Sequence, residues 1–243
     1  MKTKVVFLLC MILTVVAFGQ SERHTTLSEI EVIPPKFPAV ETTWNGKNIE
    51  SINDYLNNHV VYPDEAINNG YQGTEVVQFI VTPTGELTNM NIINSVCHEI
   101  DREVIRVLTA TSGQWKSASI DGQPSAMIHE VSVVFKCNDN NDFMLMAKNY
   151  FLKGNKLLAL KKDPKKALKY YDMGIMLTPN EESLLVARAI CKYELGDVDG
   201  AVRDWNRMMT LDNTGNNDFK TTPLPHDLSN FKGYVELIQL TKK

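Results

Sequence analysis

The side chains able to carry out acid–base, nucleophilic or metal chemistry are few and scattered in this sequence. The five histidines stand at His24, His59, His98, His129 and His226, with no two spaced as ligands on adjacent turns of a helix. No two cysteines have the short spacing of a zinc site, so no metal site is expected. Cys97 and His98 are neighbours in sequence. On extended chain, neighbouring side chains point to opposite faces, so adjacency does not make this pair a nucleophile and its base. There is no glycine-rich phosphate loop and no Gly-x-Ser-x-Gly elbow. The carboxylates fall on faces that read as solvated, and Trp115 and Trp205 sit among apolar positions that read as core. No catalytic residue, cofactor or metal is assigned, and an enzyme is not expected.

Charge excludes further classes. Lys and Arg number 25 against 29 Asp and Glu, a formal net charge of -4. That balance supplies no field to draw in nucleic acid or anionic lipid. The basic run Lys161–Lys166 reads as a solvated helix–turn face.

The first 20 residues have the layout of an export signal. Lys2 and Lys4 precede an apolar run from Val5 to Phe18, and Ala17 and Gly19 supply small residues ahead of a cut near Gly19 or Gln20. The run is about 14 residues, short of the roughly 20 that span a bilayer comfortably. A periplasmic or exported chain is therefore expected; retention of the leader would instead anchor it in the inner membrane. Removal of the leader takes Cys10 with it and leaves Cys97, Cys137 and Cys191. An odd count allows one internal bridge and one thiol. Cys97 and Cys137 each close an expected strand of one domain and are the pair for a possible disulfide. Cys191 lies on an apolar helical stripe and reads as a buried small hydrophobe.

The positions that matter must be placed by two kinds of element. Residues 21–48 are polar, contain Pro34-Pro35-Lys36-Phe37-Pro38, and read as an extended linker. Residues 49–138 read as one α+β domain. Ile49, Ile52, Tyr55 and Leu56 have helical spacing. Pro63, Asp64 and Glu65 suit the first turn of a second helix that stops at Gly70. Val77, Phe79 and Val81 then alternate, Pro83-Thr84-Gly85 is a turn, and Met90, Ile92 and Val96 continue on a return strand. Ile100, Val104, Val107 and Leu108 mark a covering helix. Asp121-Gly122 is read as the turn of a second hairpin-like stretch, from Trp115 to Phe135. The expected fold is a small antiparallel sheet with helices on one face.

The string Tyr62-Pro63-Asp64-Glu65-Ala66, then Gly70, Gly73, Phe79-Ile80-Val81-Thr82-Pro83-Thr84-Gly85, Leu87, Asp101, Trp115, Gly122 and Val131-Ser132-Val133-Val134-Phe135 resembles the TonB C-terminal domain over about residues 60–137. One departure follows Trp115, where Lys116-Ser117-Ala118-Ser119 replaces the family's Pro-Gly-containing segment. The resemblance implies binding rather than catalysis. Family members take a short extended segment of an outer-membrane transporter as an added strand and transmit work from an inner-membrane complex. Carried over by position, it implicates Tyr62, Pro63, Val131, Val133 and Phe135 in partner binding.

Residues 144–213 repeat at an offset of 34. Asp163 matches Asp197, Ala167 matches Ala201, Tyr171 matches Trp205, and Leu177 matches Leu211. This is the period of tetratricopeptide repeats, with helices expected at 147–160, 164–177, 181–195 and 198–211. Two such repeats need a cap, for which the helix expected at 231–240, within a 214–243 tail, is suited. The combined expectation is a non-enzymatic periplasmic protein-binding module linked to energised outer-membrane transport, with the repeats recruiting a second protein by a peptide or helix in their groove. The alternative is a structural envelope scaffold with no part in TonB-dependent transport.

Overall fold

A computed structural model describes residues 30–38, 40–44, 47–49, 51–212 and 230–240. The expected leader and its cleavage site lie outside the described residues. In chain order the elements are β1 (Val32–Ile33), β2 (Val40–Trp44), β3 (Lys47–Ile49), α1 (Ile52–His59), α2 (Asp64–Asn68), β4 (Gly73–Val81), β5 (Leu87–Asn94), α3 (His98–Thr109), β6 (Ala118–Ile120), β7 (Gln123–Ser125), β8 (Met127–Phe135), α4 (Phe143–Asn155), α5 (Pro164–Leu177), α6 (Glu182–Glu194), α7 (Val198–Asp212) and α8 (Lys232–Leu240). The fold is α+β. The chain separates into two compact units: Met1–Asn58, Gln78–Asn91 and Val107–Glu130 form one, and His59–Val77, Ile92–Arg106 and Val131–Lys243 form the other.

Three strands carry the TonB-like pattern in the order β5-β4-β8. The β4–β5 connection closes where Thr82 N–H donates to Glu86 O at 2.9 Å and Gly85 N–H to Thr82 O at 3.0 Å. Gly85 sits at φ +82, and a Cβ there would come within 2.2 Å of Trp115 O. Both its handedness and its crowding therefore demand glycine.

In the first unit the expected linker is partly docked. Val32 and Ile33 pair antiparallel with Ile120 and Ser119. Lys36 and Lys116 exchange two backbone hydrogen bonds, of 3.0 and 2.9 Å. The physical reason is Phe37, which is 3% exposed. Its ring centroid lies 5.3 Å from those of both Tyr55 and Trp115. Burying an aromatic ring is worth roughly 2–3 kcal/mol, enough to hold an extended segment in place. β2, within the stretch expected as linker to residue 48, pairs antiparallel with β3, which also takes in Ile49, expected instead at the start of a helix.

The second hairpin-like stretch is shorter than expected. β6 pairs with β7 across Asp121 and Gly122, both at positive φ, as a type I′ turn requires. β8 belongs to the other sheet. Trp115, just before β6, packs in an aromatic group with Phe79 of β4 and His129 of β8, at centroid distances of 5.3 and 5.1 Å. Trp115 Nε1 donates to Thr111 Oγ1 at 3.0 Å.

In the second unit α4 to α8 form a helical array consistent with tetratricopeptide repeats. The residues matched at an offset of 34 occupy equivalent places. Asp163 Oδ1 accepts from Lys166 N–H at 2.9 Å and Asp197 Oδ1 from Gly200 N–H at 2.9 Å, each capping the following helix. Ala167 and Ala201 are fully buried, as are the rings of Tyr171 and, nearly so, Trp205. A turn of π-helix at Lys156–Leu160 extends α4. α8 packs on α6: Leu237 is fully buried, and a Cβ on Gly233 would lie 3.1 Å from Ile190 O.

The array is stitched to the end of β4. Thr74 Oγ1 donates to Leu177 O at 2.7 Å. Asn94 Nδ2 donates to Thr74 O at 2.7 Å and to Met176 O at 3.4 Å. A Cβ on Gly73 would stand 2.7 Å from Met176 O, so the close approach depends on glycine.

Candidate partner-binding edge

β8 is bound on one side by β4, and among the described residues no strand pairs with its other side. A row of unpaired backbone donors and acceptors is a template for another chain. The alternation of β8 decides what a partner would meet. Val131, Val133 and Phe135 are 3%, 4% and 4% exposed. Their side chains face the core, so their possible contribution to a partner is backbone only. Ser132, Val134 and Lys136 alternate with them, and Val134 is 53% exposed. The outward residues carry the side-chain surface of this edge. Strand alternation in the sequence distinguishes the two sets but does not tell which is outward until the core is known.

Tyr62 reinforces the end of β8. Its hydroxyl donates to Tyr71 O and lies 3.3 Å from Cys137 Sγ. Its ring packs edge-on to Phe135 at 5.2 Å between centroids. Burial, the hydrogen bond with Cys137 and the neighbouring thiol charges of Cys137 and Cys97 all push the phenol pKa upward, so it stays neutral. Pro63 precedes α2 in an extended conformation and makes no side-chain cap. Tyr62 is thus an anchor that ties the α2 segment to β8, while Pro63 sets the entry of the chain.

Beside Val134 opens a cleft of about 500 Å³ whose lining includes Thr74, Lys136, Asn141, Phe143 and Leu177. Lys136 Nζ sits 5.2 Å from the Phe143 ring centroid, a cation–π contact that fixes one wall. Asn141 Nδ2 donates to Gln72 Oε1 at 2.7 Å and holds the loop beneath it. The cleft lies against residues of β8 itself, which only the folded arrangement brings together.

Cys97 and Cys137 are both free thiols, as is the buried Cys191. Cys97 precedes α3, and burial raises its pKa while the Ile100 and Glu99 backbone N–H groups pull it down.

Glu75 was missed by sequence reading. It is fully buried on β4, with Oε2 accepting from Val96 N–H at 2.9 Å. Burial, reinforced by the Asp101 carboxylate, pushes its pKa up to about 8. Asp101 in turn accepts from Ser95 Oγ at 2.8 Å. A lone Glu in an apolar alternation, here between Thr74 and Val76, was the available signal. His129 is held neutral by burial and serves the aromatic core. Among the described residues no three His, Cys, Asp or Glu side chains cluster so as to hold a metal ion. Nor, among these residues, is any helix long and apolar enough to cross a membrane.

Residues 58–137 match the family described as the Gram-negative bacterial TonB protein C-terminal, a third of the chain. That family consists of non-enzymatic protein-interaction domains. No curated protein and no solved structure matches the chain. The matched stretch contains Tyr62, all of β4, β5 and β8, and ends at Cys137.

Proposed function

We propose that this protein is a non-enzymatic binding module of the cell envelope, which takes an extended segment of a protein partner as an added strand on β8. The observation that carries the reading is the open side of β8 inside the stretch that matches the TonB family. Main-chain hydrogen bonds supply the affinity in such pairing and alternate side chains supply the selectivity. Val134 and the cleft beside it are suited to receive a partner side chain, and Tyr62 holds the strand end rigid. The partner class favoured by the family is the exposed segment of an outer-membrane transporter, and the helical array is suited to recruit a second protein.

A photo-crosslinking residue at Val134, introduced in living cells, tests this reading. The expected result is a covalent adduct with an outer-membrane transporter or another envelope protein, suppressed when Tyr62 is replaced by alanine. Adducts at Val134 no different from those formed at Met173, on the exposed surface of α5, would overturn it.

A further inference from the structure

A second cleft lies in the first unit, apart from β8. It has a volume of about 530 Å³ and is lined by the β1 segment and the β6–β7 hairpin, including Ile33, Pro35, Lys36, Lys116, Ala118 and Pro124. The volume falls in the range of small-molecule sites. The backbone ladder between β1 and β6 is broken at Pro34 and Pro35, which have no N–H to give. It resumes in the same register at Lys36 and Lys116. The cleft is formed along that interruption.

Lys36 and Lys116 face each other as a hydrogen-bonded antiparallel pair. Such pairs hold their Cα atoms about 5.5 Å apart with both side chains on one face. Like charges placed directly opposite are unfavourable. No carboxylate lines the cleft, and among the described residues neither ammonium has an ion-pair partner. The rest of the lining is proline, isoleucine, alanine, glycine and serine. Two lysines paired on one face beside apolar side chains suit an oxyanion on a hydrocarbon body.

We propose that this cleft binds a ligand carrying a carboxylate or phosphate on a short apolar body, with the oxyanion bridging Lys36 and Lys116. The ligand chemistry is shared by free amphiphilic anions and by the carboxyl terminus of an apolar peptide.

The test is titration of the full chain with hexanoate, hexyl phosphate, hexanol and acetyl-Leu-Leu with a free carboxylate, followed by amide chemical shifts at low salt. The two free anions, the peptide or both should shift the amides of residues 116–119 saturably, and hexanol should not. Binding by the free anions alone assigns a small-molecule ligand, and tighter binding by the peptide assigns a chain terminus. Lys36→Met and Lys116→Met should each weaken binding by about tenfold, the usual worth of one charged hydrogen bond, while Lys36→Arg retains it. The lysines are exposed, so the variants keep the fold, which an unchanged unfolding midpoint checks. Hexanol binding equal to that of hexanoate, no saturable shift with any anion, or a double Met variant that binds as the parent does, would overturn the proposal.

Discussion

Arg188 holds Asp204 with two parallel hydrogen bonds, Nε to Oδ2 and Nη2 to Oδ1, each 2.8 Å long. The pair joins α6 to α7, and Lys192 Nζ adds a third contact to Oδ2 at 2.8 Å. Arg188 Nη1 also reaches Asp172 on α5 at 3.3 Å. One guanidinium on α6 therefore reaches both α5 and α7. Removal of one partner from such a buried pair leaves an uncompensated charge. Arg188→Ala should cost about 3 kcal/mol in urea unfolding. Arg188→Lys should recover less than half, because an ammonium cannot make the two-pronged contact.

The carboxyl of Glu75 makes stability depend on pH. Its folded pKa, about 8, lies above the ordinary value of 4.5. The folded chain thus holds a proton that the unfolded chain has lost across this interval. The associated stability is complete below about pH 4.5 and drains away as pH climbs through 8. Thermal midpoints recorded across that window should fall with rising pH. Glu75→Gln should flatten the slope and melt higher than the parent at the alkaline end. An unchanged slope in the Gln variant would refute the assignment.

The join between β4 and α5 should respond to single atoms. Thr74→Val deletes the hydroxyl that donates to Leu177 O and should cost about 1 kcal/mol. Gly73→Ala places a methyl against Met176 O and should cost more, because backbone must move. In both variants, hydrogen exchange should rise first at the C-terminal end of α5.

Thiol chemistry should rank the three cysteines. Cys137 is exposed and should alkylate first. Cys191 is buried and its pKa is pushed up to about 12, so it should react only after unfolding. Both Cys97 and Cys137 raise the pKa of the same Tyr62 hydroxyl. Mild oxidation is expected to join these two and leave Cys191 reduced. Peptide mapping under non-reducing conditions checks it; oxidation confined to mixed disulfides would contradict it.

Much of this architecture could be read from residue spacing. Asp163 and Asp197 begin helices where their match predicts, because an aspartate cap and a buried alanine four residues on are local signals. Pro83-Thr84-Gly85 marked the β4–β5 turn for the same reason. The docking of β1 was not legible. Pro34-Pro35 has the composition of a free linker, and what fastens it is a distant pocket between Tyr55 and Trp115 that no local pattern encodes. The boundary between β7 and β8 was hidden likewise, since adjacent apolar alternations do not say which sheet they join. At the candidate site, Val131, Val133 and Phe135 were found as a strand. Which of its faces is outward depended on the core, and Glu75 and the Val134 cleft depended on contacts across the fold.

The β1 strap has a mechanical meaning. Tension arriving from the amino-terminal side meets the Glu31–Asp121 contacts first. It then crosses the Lys36–Lys116 bonds and finally reaches the Phe37 ring between Tyr55 and Trp115. The ring works as a knot at the end of a cord. Pulling must strip the cord and extract the knot before the load falls on β2, β3 and α1, so the strap is a strain relief built from seven residues' worth of chain, roughly Glu31 to Phe37.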